Sequence, residues 1–292
     1  MSRRLPLAPY LLVLPALVTL ALLFIYPILW NGYLSLHDVT FTTFNREWPF
    51  ASLDNYRQLI EDTVFPEQFH ESLLVSLKFV AGSVAGQFLL GLGLALALHN
   101  LVRGQHTFRL LLVLPWILSD VVVAYIWLYM YQPAGLINNI LSSAGVGEVA
   151  WLSDPGTAIW ALVLTNIWFG MPFSLLTLGS ALTTINPQLR EAAAVDGATS
   201  WQTFRHIIWP LLLPFAALNL ILITMWTVNL FALPLAMTRG GPLYATTTTS
   251  LYMYRHAFEF GSFSLGSAMG VLLFGFNIVA AAVYLRALRS AT

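Results

Sequence analysis

The sequence predicts an all-α integral membrane protein with six transmembrane helices. The chain has 292 residues, of which 58% are hydrophobic and only 9% are charged, whereas soluble domains carry about 25% charged residues. Its mean hydropathy is +0.74. A water-soluble globule of this composition could not cover its surface with polar groups, so that class is excluded.

Six stretches are long and apolar enough to cross a bilayer, which takes roughly 20 residues each. They are 10–30, 73–98, 110–130, 158–182, 207–235 and 264–285. Of the charged side chains, only Lys78 and Asp120 fall inside a stretch. A β-barrel would instead show short segments of alternating hydrophobicity, so the stretches predict helices.

The first stretch follows Arg3 and Arg4, as a signal peptide would. Its apolar run is longer than a signal h-region and no small-residue cleavage site follows it, which favours a transmembrane helix. The positive-inside rule predicts that both termini are cytoplasmic. With that orientation eight arginines lie inside and four outside; the inner ones are Arg3, Arg4, Arg103, Arg109, Arg190, Arg205, Arg286 and Arg289. The outer loop 31–72 is expected to form a few short helices.

The second stretch carries a face of small residues. Gly82, Gly86, Gly91 and Gly93 alternate there with alanines. Such spacing lets another helix approach closely, so the face is expected to serve packing rather than function.

The third stretch places Asp120 near its middle, with Trp116 four residues earlier on the same helical face. A carboxylate beside an indole suits a sugar, because the ring covers an apolar face while the carboxylate accepts hydroxyl hydrogen bonds. Two alternatives remain open at this point. Asp120 could pair with Lys78, or it could cap a break in the helix, since Pro115 lies five residues upstream.

The fourth stretch contains Gly170 and Pro172 in the run Trp-Phe-Gly-Met-Pro-Phe. Together they indicate a kink, whose freed backbone groups must be satisfied again or line a polar cavity. The fifth stretch offers polar and aromatic side chains at Trp226, Thr227 and Asn229.

The strongest local signal lies in the loop between the fourth and fifth stretches, at about 186–210. Asn186 is a favoured N-cap, Pro187 suits the first helical position, and Gly197 suits the position after the last turn. The spacing predicts a helix over 187–196. A second helix opens at Thr199 or Ser200 and continues through Pro210 into the fifth stretch. A polar connector would need only a turn, so two capped helices favour docking into a groove of another protein.

The same loop resembles a known motif. Glu191-Ala192-Ala193, Gly197 six positions after Glu191, Ile207 ten positions later, and Pro210 resemble the EAA loop of the permease subunits of ATP-binding-cassette (ABC) importers. Further residues resemble the carbohydrate branch, specifically the maltose-transporter-type first permease. They are Asp196-Gly197-Ala198, Phe204, Gly240-Gly241-Pro242, Ala245-Thr246, Tyr254 and Ala257-Phe258. The likeness runs from about residue 72 to 288, and it departs at Trp209, where the family usually has leucine.

This resemblance implies an ABC type I importer permease fold, with an N-terminal helix and outer loop in 1–71 and a permease core in 72–292. The 187–196 helix would be the coupling helix, contacting an ATPase through Glu191, Ala192, Ala193, Asp196 and Gly197. The family's sugar contacts, carried over to matching positions, would be Trp116, Asp120, Phe169, Gly170, Phe173, Trp226, Thr227 and Asn229.

The resemblance further implies a subunit that carries a di- or oligosaccharide inward across the bacterial inner membrane. Its partners would be a second permease subunit, two ATPase subunits that bind ATP and magnesium, and an extracytoplasmic sugar-binding protein. No cofactor or metal is expected in this chain itself. The sequence does not name the sugar, and a disaccharide, a longer oligosaccharide and a polyol phosphate remain open.

Several other classes are excluded or disfavoured by the residues. The chain has no cysteine, which excludes disulfides and thiol catalysis. Its single lysine, Lys78, follows Leu77 rather than glycine, so no phosphate-binding loop of the Gly-Lys type is present. The net charge near zero argues against nucleic acid. An ion-coupled secondary transporter using Asp120 is the alternative function; a membrane-embedded enzyme is disfavoured because the spans hold no cluster of His, Glu or Asp.

Overall fold

A computed structural model describes residues 7–61, 68–99 and 104–291, with side chains from residue 12 to residue 286. Most of these residues are helical, and the longest non-helical stretch is 36–53. Arg3, Arg4 and Arg103, which enter the orientation prediction, lie outside the described residues, as does the side chain of Arg289.

Fourteen helices occur in the described part of the chain. In chain order they are α1 Leu7–Leu20, α2 Tyr26–Ser35, α3 Asp54–Ile60, α4 Phe69–His99, α5 Gln105–Ile117, α6 Asp120–Met130, α7 Leu136–Ser143, α8 Pro155–Thr184, α9 Pro187–Val195, α10 Ser200–Thr203, α11 Trp209–Asn229, α12 Ala232–Met237, α13 Thr249–Tyr254 and α14 Phe263–Ala291. Three π-helical segments continue the helices that precede them: Ala21–Ile25, Phe204–Ile208 and Arg255–Glu259.

The chain divides into two compact units. One comprises residues 1–64 and 253–274. The other comprises residues 65–252 and 275–292, and it holds both candidate sites described below.

Five of the described helical segments are long and apolar enough to cross a membrane unbroken. They are Leu12–Ser35, Phe69–His99, Pro155–Thr184, Ser200–Asn229 and Phe263–Arg286. A sixth span exists if α5 and α6 count as one. The all-α prediction with six apolar stretches is therefore confirmed, but two of the stretches are broken.

The prediction of one continuous helix over 110–130 is wrong. The chain bends by 99° between α5 and α6, because Leu118 and Ser119 adopt extended backbone with ψ of 152° and 144°. Pro115, in the last turn of α5, has no N–H to donate and so weakens the end of that helix. Asp120 consequently begins a helix rather than lying in the middle of one.

The prediction of one helix over 207–235 is also wrong. Helix α11 ends at Asn229, Leu230 is extended with ψ of 108°, and α12 follows as a separate short helix. Pro234 cannot donate to the carbonyl of Leu230 four residues earlier. That carbonyl instead accepts a hydrogen bond from the Ser250 hydroxyl at 3.0 Å, so the freed group is satisfied within the protein.

Three of the four glycines predicted to form the small-residue face of α4 lie against α8; the fourth, Gly93, does not, since nothing lies within 4 Å of its Cβ position. A methyl group built at Gly86 would lie 2.2 Å from Cδ1 of Ile167, and one at Gly91 would lie 2.4 Å from Cβ of Ser174 and 3.0 Å from the backbone nitrogen of Leu175. These distances are far below van der Waals contact. The missing side chains therefore allow α4 and α8 to lie in direct contact.

In the first unit, the chain at the end of α2 is held by hydrogen bonds from Asn55 of α3. The Asn55 amide donates to the backbone carbonyls of Ser35 at 2.9 Å and His37 at 3.0 Å. The rings of Trp30 and Tyr33 stack at 5.4 Å on α2. Within its described residues the predicted loop 31–72 forms one short helix of its own, α3, where a few were expected.

We expect Gly91→Ala to destabilise the protein by about 1–3 kcal/mol, because the added methyl meets the backbone of α8 and cannot be accommodated by a side-chain rotation. Gly93→Ala is the matched control on the same helix, since nothing lies within 4 Å of its Cβ position. Thermal unfolding of the purified protein in detergent measures both. Equal melting temperatures for the two variants would contradict the packing described above.

Candidate functional site

Helix α9 has its own start and stop signals. The Asn186 side chain accepts a hydrogen bond from the backbone N–H of Gln188 at 3.0 Å, and Pro187 occupies the first turn. At the other end Gly197 has φ of +78°, and the N–H of Ala198 donates to the carbonyl of Ala193 at 2.9 Å. This is a Schellman cap, in which the left-handed residue is almost always glycine or asparagine. The predicted short helix is confirmed, ending at Val195.

The next helix is capped as well. Thr199 and Gln202 form a capping box: the Thr199 N–H donates to Gln202 Oε1 at 2.8 Å, and the Gln202 N–H donates to Thr199 Oγ1 at 3.3 Å. From there α10, the π-helical segment and α11 form one helical rod from Ser200 to Asn229. The predicted continuation through Pro210 into the membrane span is confirmed.

Most of α9 is exposed. Ala193 is the buried residue of the helix, at 7% exposure, whereas Glu191, Ala192, Asp196 and Gly197 are exposed. The helix borders a wide groove together with the ends of α4 and α8 and the start of the 200–229 rod; its lining includes Leu96, His99, Leu182, Arg190, Glu191 and Trp201. Ala193 thus holds α9 against its own chain while the opposite face stays open.

A second candidate site lies among α4, α5, α8 and α11. Six of the predicted substrate residues line this pocket: Trp116, Phe169, Gly170, Phe173, Trp226 and Thr227. The rings of Trp116 and Phe173 lie 5.8 Å apart, and each lies 6.3 Å from the ring of Trp226. Three aromatic rings from three helices therefore surround one small space.

Sequence reasoning missed three residues that line the same pocket, Gln87, Asn166 and Ile223. Gln87 and Asn166 are both buried, at 3% exposure each, and Gln87 Nε2 donates to the Asn166 carbonyl at 3.0 Å. A signal was available, since both are uncharged polar residues inside apolar stretches. Polar groups there usually face a cavity or a partner.

Two donor nitrogens at the pocket have no hydrogen-bond partner in the described part of the chain. The Trp116 Nε1 and Asn166 Nδ2 atoms are buried without a hydrogen bond. An unsatisfied buried donor costs about 1–3 kcal/mol. Such a cost is tolerated where a ligand or water supplies the missing acceptor.

Asp120 and Asn229 do not line the pocket. Asp120 Oδ1 accepts the N–H of Val121 at 3.0 Å at the start of α6, and Asn229 is exposed at the end of α11, donating to the Met225 carbonyl at 2.6 Å. The expectation that Trp116 and Asp120 share one helical face is wrong, because the 99° bend separates them.

Lys78 is exposed and forms no ion pair with Asp120 in the described structure. Of the two alternatives for Asp120, the position at a helix break is therefore the observed one. The described residues also contain no group of three His, Asp or Glu that could hold a metal ion.

Comparison with known proteins identifies the family. Residues 87–289 match the family described as "Binding-protein-dependent transport system inner membrane component". The chain belongs to this family. It is an inner membrane component, which agrees with the predicted location, and the alternative of an ion-coupled secondary transporter finds no support.

The relatives agree with the predicted carbohydrate branch. The chain is 35% identical to "Trehalose/maltose transport system permease protein MalF" of Thermococcus litoralis, over 95% of this chain and 92% of that protein. It is 33% identical to "Sulfoquinovosyl glycerol transport system permease protein SmoG" of Agrobacterium fabrum, over 96% and 90%. These relatives are permease subunits, and the chain is a permease rather than the enzyme of such a system.

A solved structure shows the same fold. A chain of a bacterial alginate ABC transporter, in complex with an alginate pentasaccharide-bound periplasmic protein, matches with a TM-score of 0.80 at 23% identity, over 95% of this chain and 92% of that one. The fold of this family member is therefore that of an ABC importer permease, as predicted.

We expect Asp120→Asn and Lys78→Met to act additively on stability, with a coupling energy below about 0.5 kcal/mol, because no ion pair joins the two side chains. Asp120→Asn keeps an oxygen that can accept the Val121 N–H, so the change itself should be mild. Thermal unfolding of both single variants and the double variant gives the coupling. Recovery of a destabilised Asp120→Asn protein by Lys78→Met would contradict the described geometry.

Proposed function

We propose that this permease subunit, paired with a second and similar permease subunit, forms the path along which a di- or oligosaccharide crosses the membrane inward, driven by ATP hydrolysed in separate subunits. The observation that carries the proposal is that one compact unit holds both an aromatic pocket with unpaired buried donors and an independently capped, exposed helix. The pocket has the chemistry to bind a sugar, and the exposed helix can dock on an ATPase subunit.

The pocket has the chemistry that a sugar needs. The rings of Trp116, Phe173 and Trp226 can cover the apolar face of a pyranose, while the unpaired N–H groups of Trp116 and Asn166 can donate to its oxygens. Phe169, Gly170 and Thr227 complete the wall. The relatives named above for trehalose/maltose and for sulfoquinovosyl glycerol support a carbohydrate cargo.

Helix α9 is the proposed coupling helix. Ala193 faces its own chain, and the exposed Glu191 and Ala192 with Asp196 and Gly197 form a compact surface that can enter a cleft of an ATPase subunit. A helix with fixed ends transmits a push better than a loose connector. ATP and magnesium would be bound by two such ATPase partners, not by this chain.

The outer partner is proposed to be an extracytoplasmic sugar-binding protein. The match to a transporter chain solved with a periplasmic protein supports this partner. The family match over 87–289 falls within the proposed permease core 72–292, with 1–71 supplying the N-terminal span and outer loop.

We expect Gly197→Val to abolish or strongly weaken retention of the ATPase subunits on the permease, because φ of +78° strains a β-branched side chain by about 1–2 kcal/mol and displaces the end of α9. Co-purification of the co-expressed ATPase with tagged permease measures it.

Gly197→Asn is the matched control, since asparagine tolerates the left-handed conformation and no atom lies within 4 Å of the Cβ position. It should retain the ATPase. Full retention by the valine variant would refute the assignment of α9 as the docking element.

We expect a cysteine at position 241 to react with a membrane-impermeant thiol reagent on intact cells, and a cysteine at position 104 to react only after the cells are opened. The proposed orientation places both termini in the cytoplasm. The chain has no native cysteine, so labelling of the Gly241→Cys and Gly104→Cys variants reports only the introduced thiol. Labelling at 104 but not at 241 would invert the orientation.

A further inference from the structure

Gln87 lines the pocket from α4, a helix that carries none of the predicted substrate residues. Its Nε2 donates to the Asn166 carbonyl, and the residue lines the pocket. The carboxamide makes no other hydrogen bond in the described part of the chain. Its Oε1 is therefore left as a free acceptor at the pocket wall.

The orientation of this carboxamide follows from its partner. A backbone carbonyl only accepts hydrogen bonds, so the atom of Gln87 that faces the Asn166 oxygen must be Nε2. Rotating the amide by 180° would set two oxygens against each other. The acceptor Oε1 is thus held away from the Asn166 carbonyl.

Gly170 provides the space for the carboxamide. A Cβ at Gly170 would lie 2.4 to 2.6 Å from Cδ, Oε1 and Nε2 of Gln87. Any other residue at position 170 would therefore clash with the Gln87 carboxamide and displace it. Helix α8 therefore positions the carboxamide in two ways. The Asn166 carbonyl holds it by a hydrogen bond, and Gly170, which has no side chain, leaves the space that it occupies.

The pocket consequently offers one fixed acceptor, Gln87 Oε1, beside two unpaired donors, Trp116 Nε1 and Asn166 Nδ2. A hydroxyl group both donates and accepts, whereas a phosphate or sulfonate group has only acceptor oxygens and full negative charge. The described lining residues carry no charge. Moving an anion from water into such a place is costly unless a cation pairs with it.

The site also lies deep in the membrane helices. Asn166 is 11 residues from the start of α8 and 18 from its end, or about 17 and 27 Å along the axis. An unpaired charge at that depth in the membrane helices is costly, which disfavours an anionic cargo.

We propose that Gln87 is a specificity-determining residue of this pocket, accepting a hydrogen bond from a substrate hydroxyl, and that the site takes an uncharged, hydroxyl-bearing sugar in preference to a sugar or polyol phosphate or sulfonate. The inference rests on the proposed function of the pocket as the sugar path.

A purely structural role would make Gln87 a link between two helices and nothing more. Asn219 is the matched residue for that role: it is fully buried, its Oδ1 accepts from Ser174 Oγ at 3.1 Å across α11 and α8, and it does not line the pocket. Gln87→Met and Asn219→Leu each delete one buried carboxamide and one interhelical hydrogen bond. Only the first should alter the sugar site.

The test uses the complete importer in nanodiscs and proteoliposomes. Binding to the assembled complex without its binding protein is measured for a panel of uncharged sugars (trehalose, maltose, longer maltodextrins) and a panel of anions (sn-glycerol 3-phosphate, glucose 6-phosphate). Uptake is measured with a saturating concentration of the sugar-loaded binding protein. For ligands whose direct binding is too weak to detect, uptake is the deciding measurement.

We expect the tightest ligand to be uncharged, with the anions at least tenfold weaker. Gln87→Met and Gly170→Ala should each weaken that ligand, or slow its uptake, about five- to tenfold, the loss of one neutral hydrogen bond. Asn219→Leu should leave both measurements within twofold of the unmodified protein, with any change confined to melting temperature.

The proposal is overturned if an anion binds or is taken up as well as the best uncharged sugar, or if Gln87→Met behaves like Asn219→Leu. Failure of the proposed function looks different. In that case the complex assembles with its ATPases, yet no member of either panel binds, is taken up or stimulates ATP hydrolysis.

Discussion

The close approach of α4 and α8 is the constraint on which the pocket depends. Glycines on both helices make it possible: Gly86 and Gly91 let α8 lie against α4, and Gly170 lets a side chain of α4 lie against α8. In lipid there is no hydrophobic driving force between helices, so close packing and interhelical hydrogen bonds supply the association energy. The same short distance brings Gln87 within 3.0 Å of a backbone carbonyl and places polar groups deep in an apolar protein.

Helix ends shape the rest of the pocket. Trp116 lies one residue before the end of α5, and Trp226 and Thr227 lie in the last turn of α11. Both helices give way to extended backbone, with Pro115 in the last turn of α5 and Pro234 five residues after the end of α11, and each proline lacks a backbone donor. Inside a membrane the freed carbonyls must find partners within the protein, as the Leu230 carbonyl does at Ser250. The interruptions therefore serve the pocket, since they let large rings converge from helices that would otherwise run past it.

Features decided by neighbouring residues were predictable from the sequence. The caps of α9 and α10 follow from Asn186, Gly197 and Thr199, whose hydrogen bonds reach only a few residues along the chain. Apolar length predicted the membrane helices for the same reason. The break after Asn229 was not predicted, and the break near Asp120 was only one of the alternatives left open by Pro115, because hydropathy stays high through both and carries no information about backbone direction.

The pocket was predictable only in part. Trp116, Phe169, Gly170, Phe173, Trp226 and Thr227 were named from aromatic and kink-forming residues and a family resemblance, and they lie together. Asp120 was named because a charge in a span is conspicuous, yet the bend carries it to another helix. Gln87 was missed because its meeting with Asn166, 79 positions away, depends on the register of α4 against α8. No local pattern encodes that register.

The helical continuity from Ser200 to Asn229 has a mechanical consequence. Thirty residues of helix make a lever about 45 Å long, which starts directly after the capped turn that ends α9 and finishes beside Trp226. Tilting such a rod about one end by about 5° moves its other end by about 4 Å, which is more than the length of a hydrogen bond. A movement of α9 can therefore displace the aromatic pocket through one continuous helix, without a chain of side-chain contacts between them. The size of that displacement depends on the length of the helix.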